Sequence, residues 1–220
     1  MSKSILALLC LAGLISVASA QQPAPGGPPK KTNARPAASN TSREPFDGAS
    51  VEKMAGECVT LNTEAGDIDI EMLPETAPET VRNFLNLAAI KAFDTTTFSR
   101  VVKDFVIQGG NLSTRQNLTP ELARRAERTI PDEPSSVKHV RGIVSMARTD
   151  EPNSATTNFF ILVTEASQLD GKFAAFGRVT RGMDVVDAIN HAPVDGEKPL
   201  KPVRIVRATI APCARSQTPQ

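Results

Sequence analysis

Between Phe98 and Asn111 the chain reads FSRVVKDFVIQGGN, an apolar alternating run into which one arginine, Arg100, and one glutamine, Gln108, are set. A stretch of this kind can build a hydrophobic pocket with a cation at its edge. An arginine on a strand ordinarily lies along the surface, and a glutamine beside a glycine pair ordinarily serves a turn. The chemistry therefore needs support from the rest of the chain. Alternation from Val101 through Phe105 and Ile107 predicts a strand, a short turn at Lys103-Asp104, and a second strand ending at Gly109-Gly110.

The elements that must position these residues can be read on either side. Ile68, Ile70 and Met72 alternate with Asp67, Asp69 and Glu71, the pattern of a half-buried strand. The three acids share one face, which reads as the strand's solvent side rather than a cation site, so neither a metal nor another cofactor is expected. Pro78 suits a first helical position, and Val81, Phe84, Leu85 and Ala88 follow at helical spacing. A second helix is expected near Gly182–Asn190 with Met183, Val186 and Ile189 inward. Apolar strands are expected around Gly142–Ala147, Asn158–Val163, Phe173–Val179 and Val203–Ile210. Many strands with two helices argue for an all-β fold, a closed antiparallel barrel capped at its ends.

At 220 residues and 40% hydrophobic content, the chain is long enough for one well-buried core and short for two. Lys+Arg total 25 against Asp+Glu 24, and removing residues 1–20, which carry only Lys3, leaves 24 against 24. Neutrality gives no electrostatic reason to expect nucleic acid or an anionic membrane as partner. Residues 1–20 read as a secretory signal, with Lys3, an apolar run from Ile5 to Val17, and the cleavage pattern Ala18-Ser19-Ala20. The alternative is an uncleaved N-terminal anchor, for which the run is short of the roughly 20 residues of a membrane span. The expected destination is the periplasm, or secretion. Pro23, Pro25, Pro28, Pro29, Pro36 and Pro45 punctuate residues 21–55, which reads as a disordered tether. A single domain over 56–214 and a flexible tail over 215–220 complete the expected layout.

Four segments, in order, resemble the cyclophilin family of peptidyl-prolyl cis/trans isomerases. They are TEAGDIDIEMLPETAPETVRNFLNL from Thr63 to Leu87, the FSRVVKDFVIQGG core, the NSATTNFF segment, and LDGKFAAFGRVTRGMDVVDAI from Leu169 to Ile189. The resemblance runs from about Val59 to Ile210 and implies an eight-stranded barrel. It implies catalytic roles for Arg100 and Gln108, and a substrate surface made of Phe105, Val106, Ala147, Asn158, Phe160 and Leu169. Proline-containing, unfolded or extended polypeptides would be the partners, and a monomer is expected. In the family's barrel the strands that begin near Cys58 and end near Cys213 are antiparallel neighbours. For an exported protein this favours a Cys58–Cys213 disulfide, with two free thiols as the alternative.

The implied reaction makes and breaks no bond. Rotation about a peptide bond meets a barrier of about 18–20 kcal/mol, because the nitrogen lone pair is delocalised into the carbonyl. In the twisted state the prolyl nitrogen recovers that lone pair. A cation beside it then bonds the transition state and not the planar ground state. Some positions depart from the family pattern. Gln168 stands where an aromatic is frequent, which predicts weak inhibition by cyclosporin, and Ser99 and Phe173 stand where histidines are frequent. Residues 111–129 differ from the family's usual glycine-rich loop. Thr119-Pro120-Glu121 signals a helix start there, with Arg124, Arg125 and Arg128 on a solvated face paired with Glu121 and Glu127. A competing class is a proline-peptide binding or holdase module with little turnover. A hydrolase lacks support, since G-x-S-x-G and H-E-x-x-H are absent and His139 and His191 read as surface residues.

Overall fold

The computed structural model describes residues 43–213. The expected signal at 1–20, the 21–42 part of the tether, Ala214 and the 215–220 tail lie outside the described residues. In chain order the elements are α1 (Val51–Ala55), β1 (Glu57–Thr63), β2 (Gly66–Met72), α2 (Pro78–Ala89), β3 (Arg100–Val102), β4 (Val106–Gly109) and α3 (Pro120–Ala126). They continue with β5 (Ile143–Met146), β6 (Phe159–Leu162), β7 (Ala175–Arg181), α4 (Met183–His191), β8 (Val194–Asp195), β9 (Lys198–Pro199) and β10 (Ile205–Pro212). Eight strands form one strongly curled antiparallel sheet in the order β10-β1-β2-β7-β5-β6-β4-β3, and β8 and β9 form a separate hairpin.

The closed barrel expected from the sequence is corrected. No continuous ladder joins β10 to β3; the two margins meet ahead of β3 through one isolated bridge, Thr97–Arg204, and the bonds Phe98 N–H to Val203 O, Thr95 N–H to Ile205 O and Ile205 N–H to Thr96 O. The reason lies at β3, which is three residues long and whose outer edge is occupied by the β8–β9 hairpin, Val101 N–H donating to Glu197 O at 2.8 Å. A covered edge cannot accept a further strand.

Alternation sorts the strand residues onto two faces. Ile107, Val144, Met146, Phe159, Ile161 and Phe176 face the main core with Val81, Phe84, Leu85 and Leu87 of α2. Phe84 is its aromatic hub, with ring centroids 5.0, 5.3 and 4.8 Å from Phe93, Phe159 and Phe176. Val186 and Ile189 of α4 are buried in the same core, as their spacing predicts. On the other face Val106, Ile143, Phe160, Leu162, Ala166 and Ala175 form a smaller cluster, covered by Val137, Leu169 and Phe173 from connecting segments. A period of two puts Val106 and Ile107, or Phe159 and Phe160, in different clusters.

Residues 43–55 are not a tether. Phe46 is buried in the main core and its N–H donates to Asn86 Oδ1, while Arg82 Nη1 donates to the carbonyls of Phe46 and Ala49. The Glu44 carboxylate accepts from Arg125 Nε at 2.6 Å and Nη2 at 3.1 Å. Arg125 is therefore not on a solvated face: only 9% of its side chain is exposed, and only Arg124 of that trio pairs with Glu121. Two buried side chains eight residues apart, Phe46 and Met54, leave no periodic trace. That is why composition assigned this stretch to the tether.

The acids of β2 are spent on neighbours. Asp69 accepts from Thr60 Oγ1 and Arg181 Nε, Asp67 from Asn62 Nδ2, and Arg178 lies 3.6 Å from Glu71. Cys58 and Cys213 form the disulfide, where β1 pairs with β10.

Candidate active site

Arg100 and Gln108 are direct cross-strand partners on β3 and β4; Gln108 is opposite Phe160 on β6, Phe160 opposite Ser145 on β5, and Ser145 opposite Ala175 on β7. Cross-strand partners project to the same side of a sheet. Five strands thus carry one row, Arg100–Gln108–Phe160–Ser145–Ala175, across the face that bears the smaller cluster. Above this row lies a cavity of about 150 Å³ lined by Arg100, Phe105, Val106, Gln108, Ala147, Arg148, Phe160, Leu169 and Phe173.

Of the residues anticipated from the sequence, Arg100, Phe105, Val106, Gln108, Ala147, Phe160 and Leu169 are brought together here. Asn158 is not. It stands just before β6, two positions ahead of Phe160 in the chain, and contributes its carbonyl, which accepts from Ala147 N–H at 2.9 Å. Gln168 is exposed and outside the lining.

Three residues went unanticipated. The Arg148 guanidinium stacks over Phe173, 5.1 Å from the ring centroid, and Phe173 meets Phe160 edge-on at 5.9 Å. Arg148 adjoins Ala147 in the MARTDEPNSATTNFF segment, so its place in the chain offered a signal. Glu197 offered none. It sits 97 residues from Arg100 and grips one edge of it in bidentate fashion: Arg100 Nε donates to Oε2 at 2.6 Å and Nη2 to Oε1 at 3.2 Å. Arg100 Nη1 donates to Gln108 Oε1 at 3.2 Å. The Arg100 guanidinium holds the Glu197 carboxyl below the usual carboxylate range.

His139 corrects the reading of a surface histidine. It is buried, with Nε2 3.0 Å from Ser145 Oγ and Nδ1 3.2 Å from Asp170 Oδ1. Although this is a Ser-His-Asp constellation, Ser145 is wholly buried within the row, out of reach of any acyl group. Its role is to fasten the turn that carries Leu169. Asp170 is held down at about 2, first by the His139 backbone N–H, then by the Lys138 ammonium, with the His139 side chain adding to both.

A curled antiparallel sheet with an arginine-edged apolar cleft on its outer face defines a class of proline-directed isomerases, and comparison with known proteins agrees. Residues 58–210 match the family described as cyclophilin type peptidyl-prolyl cis-trans isomerase/CLD, and the chain belongs to it. It is 37% identical over 141 residues to the Arabidopsis thaliana peptidyl-prolyl cis-trans isomerase CYP23, covering 63% of this chain and 62% of that one. To a peptidyl-prolyl cis-trans isomerase of Acinetobacter baylyi it is 36% identical over 172 residues, 73% of this chain and 89% of the relative. A crystal structure of a Cryptosporidium parvum cyclophilin type isomerase in the presence of the dipeptide Ala-Pro superposes with a TM-score of 0.63 at 29% identity, over 70% of this chain and 98% of that one. The protein is a cyclophilin-type peptidyl-prolyl cis-trans isomerase.

Proposed function

We propose that the outer-face cavity receives the proline ring of an X-Pro segment and that Arg100 is the catalytic donor. The observation that carries this is the position of Arg100 at the rim of a largely apolar cavity, bonded to Gln108 in the same lining, while the other lining cation, Arg148, is stacked on Phe173. Phe105, Val106, Phe160 and Leu169 grip the pyrrolidine ring while the preceding acyl group turns. As the amide leaves planarity, a guanidinium N–H meets the nitrogen lone pair that the ground state lacks. Binding alone would need only the apolar walls, so the rim cation favours turnover over a holdase. The Ala147 N–H is already committed to Asn158, so main-chain pairing with an extended substrate falls to the Ala147 carbonyl.

Shortening a spontaneous exchange of tens to hundreds of seconds to milliseconds needs a gain of roughly 10⁴ to 10⁵, about 5.5–7 kcal/mol. One well-aimed donor supplies about 3 kcal/mol of that, and orientation of the gripped ring supplies the remainder. Arg100→Ala is expected to lower kcat/KM for a short X-Pro peptide by about 10²-fold with peptide affinity retained. An unchanged rate would remove Arg100 from the mechanism.

The physiological setting we favour is the folding of exported proteins, in the periplasm, by a monomer released from its leader. The signal pattern of residues 1–20 and the Cys58–Cys213 bond, a chemistry suited to oxidising compartments, support this reading. Fractionation of the producing cell tests it: a full-length cytosolic product would overturn the assignment.

A further inference from the structure

We propose that Glu197 is a positioning residue for Arg100, which fixes the direction of the guanidinium before substrate arrives. This rests on the reading of Arg100 as the catalytic donor.

The geometry is built from the main chain outward. Val194–Asp195 and Lys198–Pro199 pair as a hairpin closed by Gly196 and Glu197, and Gly196 takes φ +60° at the first of the two turn positions. Glycine accommodates that angle without a Cβ clash. The hairpin is tied to β3 at the neighbour of Arg100, because the Glu197 carbonyl accepts from Val101 N–H at 2.8 Å. A carboxylate on that same residue is thereby delivered to the side chain one position away along β3.

An inventory of donors shows what the pairing leaves. A guanidinium has five N–H groups. Glu197 takes Nε–H and one of Nη2, and Gln108 takes one of Nη1. One N–H on each terminal nitrogen remains. Gln108 lines the cavity and Glu197 does not, so the carboxylate grips the guanidinium from outside the cleft and the amide from inside. Two holds on different nitrogens fix both the position and the plane of the group.

Exposure separates this role from a folding role. The side chains of Arg100 and Glu197 are 44% and 54% exposed, a setting in which an ion pair contributes little to stability. Arginine, however, is among the side chains with most rotamer freedom to lose, and a catalytic donor must be held close to its productive geometry. The pair's effect therefore belongs to the rate rather than to the fold.

The experiment compares wild type with Glu197→Gln, Glu197→Ala and Glu197→Asp, and with Lys198→Ala as a control on the same hairpin. We expect kcat on an X-Pro peptide to fall about three- to fivefold in the Gln and Ala variants with KM unchanged, and partial recovery in the Asp variant. Thermal midpoints should match that of Lys198→Ala, which keeps wild-type kcat. The Arg100 Nε–H resonance should be shifted and slow to exchange in wild type, and lose both properties in Glu197→Gln. Wild-type kcat in both Gln and Ala variants, a loss confined to KM, or an unaltered Nε–H signal would overturn the proposal. Since the resonance is read without turnover, it judges Glu197 even if Arg100→Ala shows that another group performs the chemistry.

Discussion

Asp170 does not line the cavity, yet it secures the turn that supplies Leu169 and Phe173 to it. Its carboxylate collects the His139 N–H at 2.8 Å and the Lys138 ammonium at 3.0 Å, and faces the ring of His139. A folded-state value near 2 against an ordinary 3.8 means that the charged form is favoured by folding. The contribution to stability is therefore fully present above about pH 4 and disappears as pH falls toward the folded value. Urea unfolding of wild type and Asp170→Asn should show a gap that is constant between neutral pH and about pH 5 and that narrows between about pH 4 and 2. A gap that is unchanged at the acid end would mean that Asp170 acts through packing. At this scale the sequence was informative where function and pattern coincide, as at Arg100 and Gln108. It was silent about His139, because burial of a lone histidine between two loops has no periodicity to betray it.

Among the elements, the segment ahead of α1 is held by a small number of strong contacts. Glu44 and Arg125 are 14% and 9% exposed, and Arg125 Nη2 also donates to Asn83 Oδ1 at 2.8 Å. Removing the carboxylate leaves a nearly buried guanidinium with one side-chain partner. Glu44→Ala should therefore cost about 2–3 kcal/mol of folding stability in urea titration, with kcat unchanged. A cost below about 0.5 kcal/mol would show that the segment is anchored by Phe46 and its bonds to Arg82 and Asn86 without help from Glu44. The strands and both capping helices were legible because alternation and helical spacing are properties of contiguous residues. Their junctions were not. The N-terminus of α2 is capped by Glu133, whose carboxylate accepts from Glu79 N–H and Thr80 N–H from 54 and 53 residues away. No local pattern foretells a cap supplied from another loop. Gly110, by contrast, could be justified only in three dimensions: its φ is +83°, and a Cβ there would stand 2.3 Å from the Thr157 carbonyl. The close approach brings the end of β4 against the chain entering β6.

For the molecule as a whole, the disulfide ties residues 155 apart. By the loop-entropy estimate, closing so long a loop is worth at most about 5 kcal/mol. Reduction with a thiol should lower the thermal midpoint while leaving the isomerisation rate at 25 °C unaltered, because the cleft is built on β3, β4, β6 and neighbouring loops rather than on β1 or β10. Simultaneous loss of rate at a temperature where circular dichroism shows an intact fold would contradict this. The open ladder was missed for a reason specific to the whole: barrel closure depends on what occupies the edge of a three-residue strand, and that occupant is a hairpin 97 residues further on.

The same covalent link has a mechanical meaning. β1 and β10 are the first and last strands of the sheet in the chain, lie side by side, and are joined at Cys58 and Cys213. Tension applied between the start of β1 and the end of β10 passes directly across the sulfur bridge. The cleft and every strand between those cysteines stay off the load path, so the isomerase can be tugged by its flanks without being unravelled.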